Sequence, residues 1–243
     1  CIRDSFHFRP ADQRVRSSIG QNALKEGISV WDRDVARYLN SDAIPLYNPI
    51  EEYLNSTGHW DGKDRIRALA DLVPCNNPYW RELFYRWFLS MTAHWQNIDR
   101  QHGNNTSPLL VGAQGYRKST FCRILLPPEL RCYFYTKTNS DRLNKDDLFS
   151  LTEFALICFE ELDGMRPAEL NQLKAMVTMP YVNERAAYGR NKERHPHIAS
   201  FCGTGNNVQF LTDPTGNRRW LPFEVSQIRD PHLHAIPYEL VYS

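Results

Sequence analysis

The 243-residue sequence predicts an α/β fold built on a mainly parallel sheet and preceded by a small helical domain. Three observations carry that prediction. Apolar residues recur at three- and four-residue steps through 28–39 and 79–95, short apolar runs alternate with helix-like stretches from 109 onward, and the run 154–159 is apolar without interruption. A strand that is apolar on both faces belongs at the centre of a parallel sheet.

In the front part, 28–39 and 79–95 have the period of helices with one buried face. The second carries Trp80, Leu83, Phe84, Trp87, Phe88, Met91 and Trp95, a stripe that suits a core better than a platform for stacking bases. Pro45, Pro49, Pro74 and Pro78 separate short helices. Residues 102–107 turn to Gly, Asn, Thr and Ser and read as a linker. The expected organisation is a helical region over 1–103, a core over 104–226 and a truncated tail over 227–243. Within the core the alternating runs are 109–111, 119–126, 132–135, 154–159, 168–177, 198–203 and 220–225.

Composition narrows the classes. A net charge of +1, with 42% hydrophobic and 23% charged residues, is ordinary for a globular chain and gives no global nucleic-acid signature. Six scattered cysteines without a C-x-x-C pair read as reduced buried thiols rather than disulfides or a zinc site. His195 and His197 flank Pro196 without a carboxylate at ligand spacing. No apolar run approaches the roughly 18 residues of a membrane span, and no charged-then-apolar leader opens the chain. The expected location is cytoplasmic, and the start at Cys1 reads as a fragment of something longer.

The most informative stretch is Val111-Gly112-Ala113-Gln114-Gly115-Tyr116-Arg117-Lys118-Ser119-Thr120, entered through Pro108-Leu109-Leu110. It reads as a strand, a glycine loop and a helix start. Such a loop turns backbone N–H groups onto phosphates, Lys118 adds a point charge and the Ser119 hydroxyl can ligate Mg²⁺. The usual spacing places glycine immediately before the lysine, and this chain has Arg117 there. A side chain at 117 must point away from the phosphates, and the loop must make its close approach without glycine's freedom.

Downstream residues complement that loop. The strand 154–159 ends in Glu160 and Glu161, which suit a Mg²⁺ shell and the polarisation of an attacking water, or else cap the helix that begins near Pro167. The buried run 198–203 leads to Asn206 and Asn207; Asn206, by its spacing from Thr204, is the better placed to bond a phosphate or water. The turn Asp213-Pro214-Thr215-Gly216-Asn217 presents Arg218 and Arg219 ahead of a strand, and a guanidinium suits the charge that develops on a transferring phosphoryl. Between acids and asparagine, 181–197 carries Arg185, Arg190, Lys192, Arg194 and His195 against Glu184 and Glu193, which reads as a basic loop able to touch a phosphate backbone, or as a solvated hairpin.

In this order the segments resemble the virulence-associated protein E family, P-loop ATPases similar to superfamily 3 helicases and encoded by phage, plasmid or integrated elements. The likeness rests on Lys118-Ser119-Thr120-Phe121, Leu173-Lys174, Tyr188-Gly189-Arg190, Gly203-Thr204 and the run from Asp213 to Arg219. It extends more weakly to Asn48-Pro49 and the run from Trp60 to Ile66. The resemblance implies a P-loop AAA+-like α/β/α core that holds ATP with Gly112, Gly115, Lys118, Ser119 and Thr120, and Mg²⁺ with Ser119 and Glu160. It further implies water activation by Glu161, sensing by Asn206 and a finger, Arg218 or Arg219, supplied to a neighbouring subunit. A ring, usually hexameric, would contact single-stranded or forked DNA through Arg185, Arg190, Lys192, Arg194 and His195, with a primase domain or protein as a further partner. The expected function is an ATP-dependent DNA helicase or translocase domain in the replication of a mobile element. The alternative, favoured by Arg117, is a non-catalytic DNA-binding or assembly module on a degenerate loop.

Overall fold

Residues 12–44, 47–96, 104–138, 144–184, 192–207, 219–230 and 235–243 are described by the computed structural model. Their contacts fall into two units, Cys1–Asn48 and Pro49–Ser243.

The first unit contains α1 (Gln13–Lys25) and α2 (Asp32–Leu39). The Asp12 carboxylate accepts the Val15 N–H at 2.8 Å and caps the start of α1. Gly27, at φ +75°, ends it: the Gly27 N–H reaches Leu24 O at 3.1 Å and the Ile28 N–H reaches Ala23 O at 2.9 Å. That pair of bonds is a Schellman motif, and its left-handed position is why glycine stands there. Asp32 and Asp34 open α2 and Arg37 lies in its last turn, each at the favourable end of the helix dipole.

The second unit opens with α3 (Pro49–Ser56), α4 (Ile66–Ala70) and α5 (Trp80–Trp95). It continues with β1 (Ser107–Val111), α6 (Lys118–Ile124), β2 (Phe134–Lys137), α7 (Lys145–Glu153), β3 (Leu156–Phe159) and α8 (Pro167–Val177). A hairpin of β4 (Tyr181–Glu184) and β5 (Glu193–Pro196) precedes β6 (Ser200–Gly205), β7 (Trp220–Glu224) and α9 (Tyr238–Val241). Five strands form one sheet in the order β2-β3-β6-β1-β7, with every neighbouring pair parallel. The β4–β5 pair is antiparallel and separate.

Strand alternation sorts the core into two layers, one on each face of the sheet. Leu110, Leu156, Cys158, Cys202 and Phe223 face one layer, which α3, α4, α5, α6 and α9 complete. Leu109, Val111, Ile157, Phe159, Phe201 and Trp220 face the other, with Leu151 of α7 and Leu173, Met176 and Val177 of α8. The aromatic stripe of α5 is core: Trp80, Phe84, Trp87, Phe88, Met91 and Trp95 are all buried. Its two terminal indoles are also satisfied, Trp80 on Ala70 O and Trp95 on Ala155 O, both at 2.8 Å. The helices of 49–95 therefore share a core with the sheet.

The sequence pattern expects no helix at α7. Its start is nonetheless well marked, because Asn144 accepts the Asp146 and Asp147 N–H groups while Asp147 accepts the Asn144 N–H at 2.7 Å. The Asp147 carboxylate also meets the buried Lys137 ammonium of β2 at 2.9 Å. Removing one partner of a buried pair strands the other charge. Asp147→Ala is therefore expected to lower stability by about 3 kcal/mol, read from the midpoint of denaturant unfolding, whereas half-buried Asp34→Ala changes it little.

Candidate functional site

The carboxyl ends of β1, β3 and β6 lie side by side, because β1 pairs with β6 from Leu109↔Gly203 to Val111↔Gly205 and β3 pairs with β6 from Leu156↔Ser200 to Phe159↔Gly203. In an open parallel sheet this is where ligands bind. A cavity of about 350 Å³ lies there, lined by Gln114 to Thr120, Glu160, Glu161, Thr204, Gly205 and Asn206. The loop, the paired acids and the asparagine singled out in the sequence thus surround one space.

The loop is pinned at its first glycine. The Gly112 N–H donates to Gly205 O at 3.1 Å, and a Cβ on Gly112 would stand 2.5 Å from Val225 O. No other residue type fits between these backbones. Gly115, at φ +84°, supplies the left-handed turn in mid-loop. Lys118 is 8% exposed, and its ammonium donates to Gly112 O at 2.5 Å and Ala113 O at 2.9 Å. Burial lowers its pKa and the negative charge of Asp163 opposes that. Ser119 and Thr120 follow in the first turn of α6, both half-buried beside the cavity.

Arg117 and Glu161 are the two non-glycine residues with positive φ among the described residues, at +60° and +52°. Both line this cavity. A left-handed L-residue costs roughly 1–2 kcal/mol, and such strain gathers at functional sites. At Arg117 the segment after β7 holds the conformation. The guanidinium donates to Ile228 O at 3.2 Å and lies 3.9 Å from the Asp230 carboxylate, while the Ile228 N–H donates to Tyr116 O at 3.2 Å. Its guanidinium is thus engaged by the segment that follows β7.

Asp163 was not legible as a site residue. It follows β3 in a 3-10 turn (Leu162–Gly164); one carboxylate oxygen accepts the Asn206 N–H at 3.2 Å, and the other is buried without a hydrogen-bond partner. Thr204, 4% exposed, also lines the cavity beside the expected Asn206. The available signal was position: Thr204 sits in the apolar strand just before the polar exit, and Asp163 is the third acid after the β3 run.

The remaining expected residues divide. Arg185, Arg190, Arg218 and the turn from Asp213 to Asn217 lie outside the described residues. Arg219 immediately precedes β7, and Trp220 pairs with Ser107 at the amino end of β1. Four residues of strand, about 13 Å, separate that level from the Val111 end. On the hairpin, Lys192 is exposed, the Arg194 guanidinium lies 3.6 Å from the centre of the Tyr181 ring, and His195 Nε2 is 3.6 Å from Glu193. The hairpin leads through His197 into the amino end of β6, at the edge of the sheet opposite the cavity. His197 is buried, its Nδ1 lies 2.6 Å from Met179 O, and burial lowers its pKa.

Residues 54–240 match the model of the virulence-associated protein E-like domain. The chain belongs to that family. Among solved structures it is similar to two apo structures of the NrS-1 C-terminal region, each at 14% identity. One aligns with a TM-score of 0.55 over 88% of this chain and 54% of that one, the other with 0.51 over 75% and 41%. The likeness is one of fold, and the chain spans only those shares of the longer region. No curated protein matches the sequence. Among the described residues no helix is long and apolar enough to cross a membrane.

The bracing of Arg117 separates two effects. Arg117→Ala keeps the left-handed cost and loses the bonds to residues 228–230, so it should destabilise by about 1 kcal/mol. Arg117→Gly loses the same bonds but relieves about 1 kcal/mol of backbone cost, leaving stability close to the parent. Equal losses in a denaturant titration of the two variants would contradict the assigned strain.

Proposed function

We propose that this virulence-associated protein E-like domain binds ATP and hydrolyses it to drive movement along or unwinding of DNA, in the replication of a mobile element. One observation carries the reading: the glycine loop, the β3 acids and the β6 asparagine, distant in sequence, line a single cavity at the carboxyl edge of a parallel sheet.

The residues fit a nucleotide and its magnesium. A glycine-tight loop offers backbone N–H groups, a buried ammonium stands on carbonyls that a phosphate can outcompete, and Asp163 holds an unpartnered oxygen near that ammonium. Ser119 and Glu160 would hold Mg²⁺, which when bound neutralises phosphate charge and assists departure of the leaving oxygen. Lys118 fixes the phosphates in register. Glu161, at the mouth of the cavity, accepts a proton from the attacking water, and Asn206, held through its N–H by Asp163, orients that water or the terminal phosphate.

Arg219 stands at the amino edge of the sheet, remote from the chain's own cavity, which supports an arginine that acts on a neighbouring subunit in a ring. The hairpin cations Lys192, Arg194 and His195 suit a single-stranded or forked phosphate backbone. Arg117 in the loop, with Lys118 bonded to its own loop, favours the second reading, a DNA-binding or assembly module without turnover.

Steady-state ATP hydrolysis with magnesium and single-stranded DNA distinguishes them. The expected result is DNA-stimulated turnover, reduced about 100-fold or more by Glu161→Gln through loss of the base and abolished by Lys118→Ala. Turnover no greater than that of Lys118→Ala would leave the non-catalytic reading.

A further inference from the structure

Cys122, Cys158 and Cys202 meet in the core, although no spacing in the sequence pairs them. Cys122 lies on α6 one turn beyond Lys118, Cys158 lies on β3 two residues before Glu160, and Cys202 lies on β6 as the register partner of Cys158. Their three sulfurs lie within 4.8 Å of one another. All three residues are at most 2% exposed. The Cys202 thiol donates to Ile157 O at 3.9 Å, and burial followed by its two sulfur neighbours holds its pKa well above the usual thiol range.

Core packing alone requires only small apolar side chains at such positions, and alanine or valine would serve. Three sulfurs converging from three separate elements offer more, because thiolates are the protein ligands that select soft ions. Sulfur is the whole donor set of this group among the described residues. The surrounding layer, with Phe121, Leu110 and Leu156, is apolar, unlike the oxygen-rich shells that hard cations need.

We infer that Cys122, Cys158 and Cys202 form an all-sulfur, three-coordinate site for a soft thiophilic cation, of the zinc-group or monovalent-copper kind. Binding involves no electron transfer. Each ligating S–H bond breaks, its proton goes to solvent and a metal–sulfur bond forms, so affinity rises with pH. The ion would tie α6, β3 and β6, the three elements that carry the lysine, the acids and the asparagine, into one rigid unit. This site stands whether or not the cavity binds nucleotide.

Cadmium(II) is the probe, in a Cys1→Ser, Cys75→Ser, Cys132→Ser background that leaves only these three thiols. The expected result is one ion per chain, a sulfur-to-cadmium charge-transfer band in the ultraviolet, a raised melting temperature and an X-ray absorption spectrum fitted by sulfur alone. Cys122→Ala, Cys158→Ala and Cys202→Ala should each weaken binding at least tenfold while the ion-free protein still melts cooperatively. No binding in the background, or a shell of oxygen or nitrogen, overturns the site, as does full binding by any of the three variants. If a core variant does not fold, the stoichiometry and absorption spectrum of the background decide the matter.

Discussion

The structure around the cavity depends on one close approach, that of Gly112 to its neighbours. Strand β1 is the only strand of the five flanked by both β6 and β7, and it ends where the Gly112 N–H bonds to Gly205 O while Val225 O closes the other side, 2.5 Å from where a Cβ would be. The loop must therefore leave the sheet between two backbones, directly above the exit of β6. Parallel register then brings Glu160 level with Thr204, two residues before Asn206, so that all three line the cavity. The parallel direction of β1, β3 and β6 is what puts their exits at one edge.

The same site holds the backbone strain. Arg117 and Glu161 are left-handed at a combined cost of roughly 2–4 kcal/mol, and long-range bonds to the 228–230 segment offset part of it at Arg117. Arg117, where the usual spacing has glycine, is thus braced by the segment that follows the neighbouring strand β7. The lysine, satisfied by Gly112 O and Ala113 O, is held on the loop rather than released into solvent.

Much of this could be read from the sequence, for physical reasons. The uninterrupted 154–159 run announces a strand buried on both faces, and Trp80 to Trp95 announces a helix with an apolar stripe, because periodicity is local. The loop and the strand ends were legible because each carries polar chemistry at the exit of an apolar run. The front helices share a core with the sheet through contacts such as Trp95 with Ala155, and no linker composition reveals such a contact. Helix α7 escaped the alternation because its apolar face is short, although Asn144 and Asp147 spell a capping box. Asp163, the brace from Ile228 and Asp230, and the meeting of Cys122, Cys158 and Cys202 depend on residues distant in sequence, which pattern alone does not bring together.

The central claim is that three strand ends form a nucleotide cavity despite Arg117. Calorimetric titration with a non-hydrolysable ATP analogue and magnesium tests it most directly. The account predicts saturable binding at one site per chain, weakened about tenfold or more by Lys118→Ala, as loss of a charged hydrogen bond requires. No heat of binding, or equal affinity in Lys118→Ala, would contradict it.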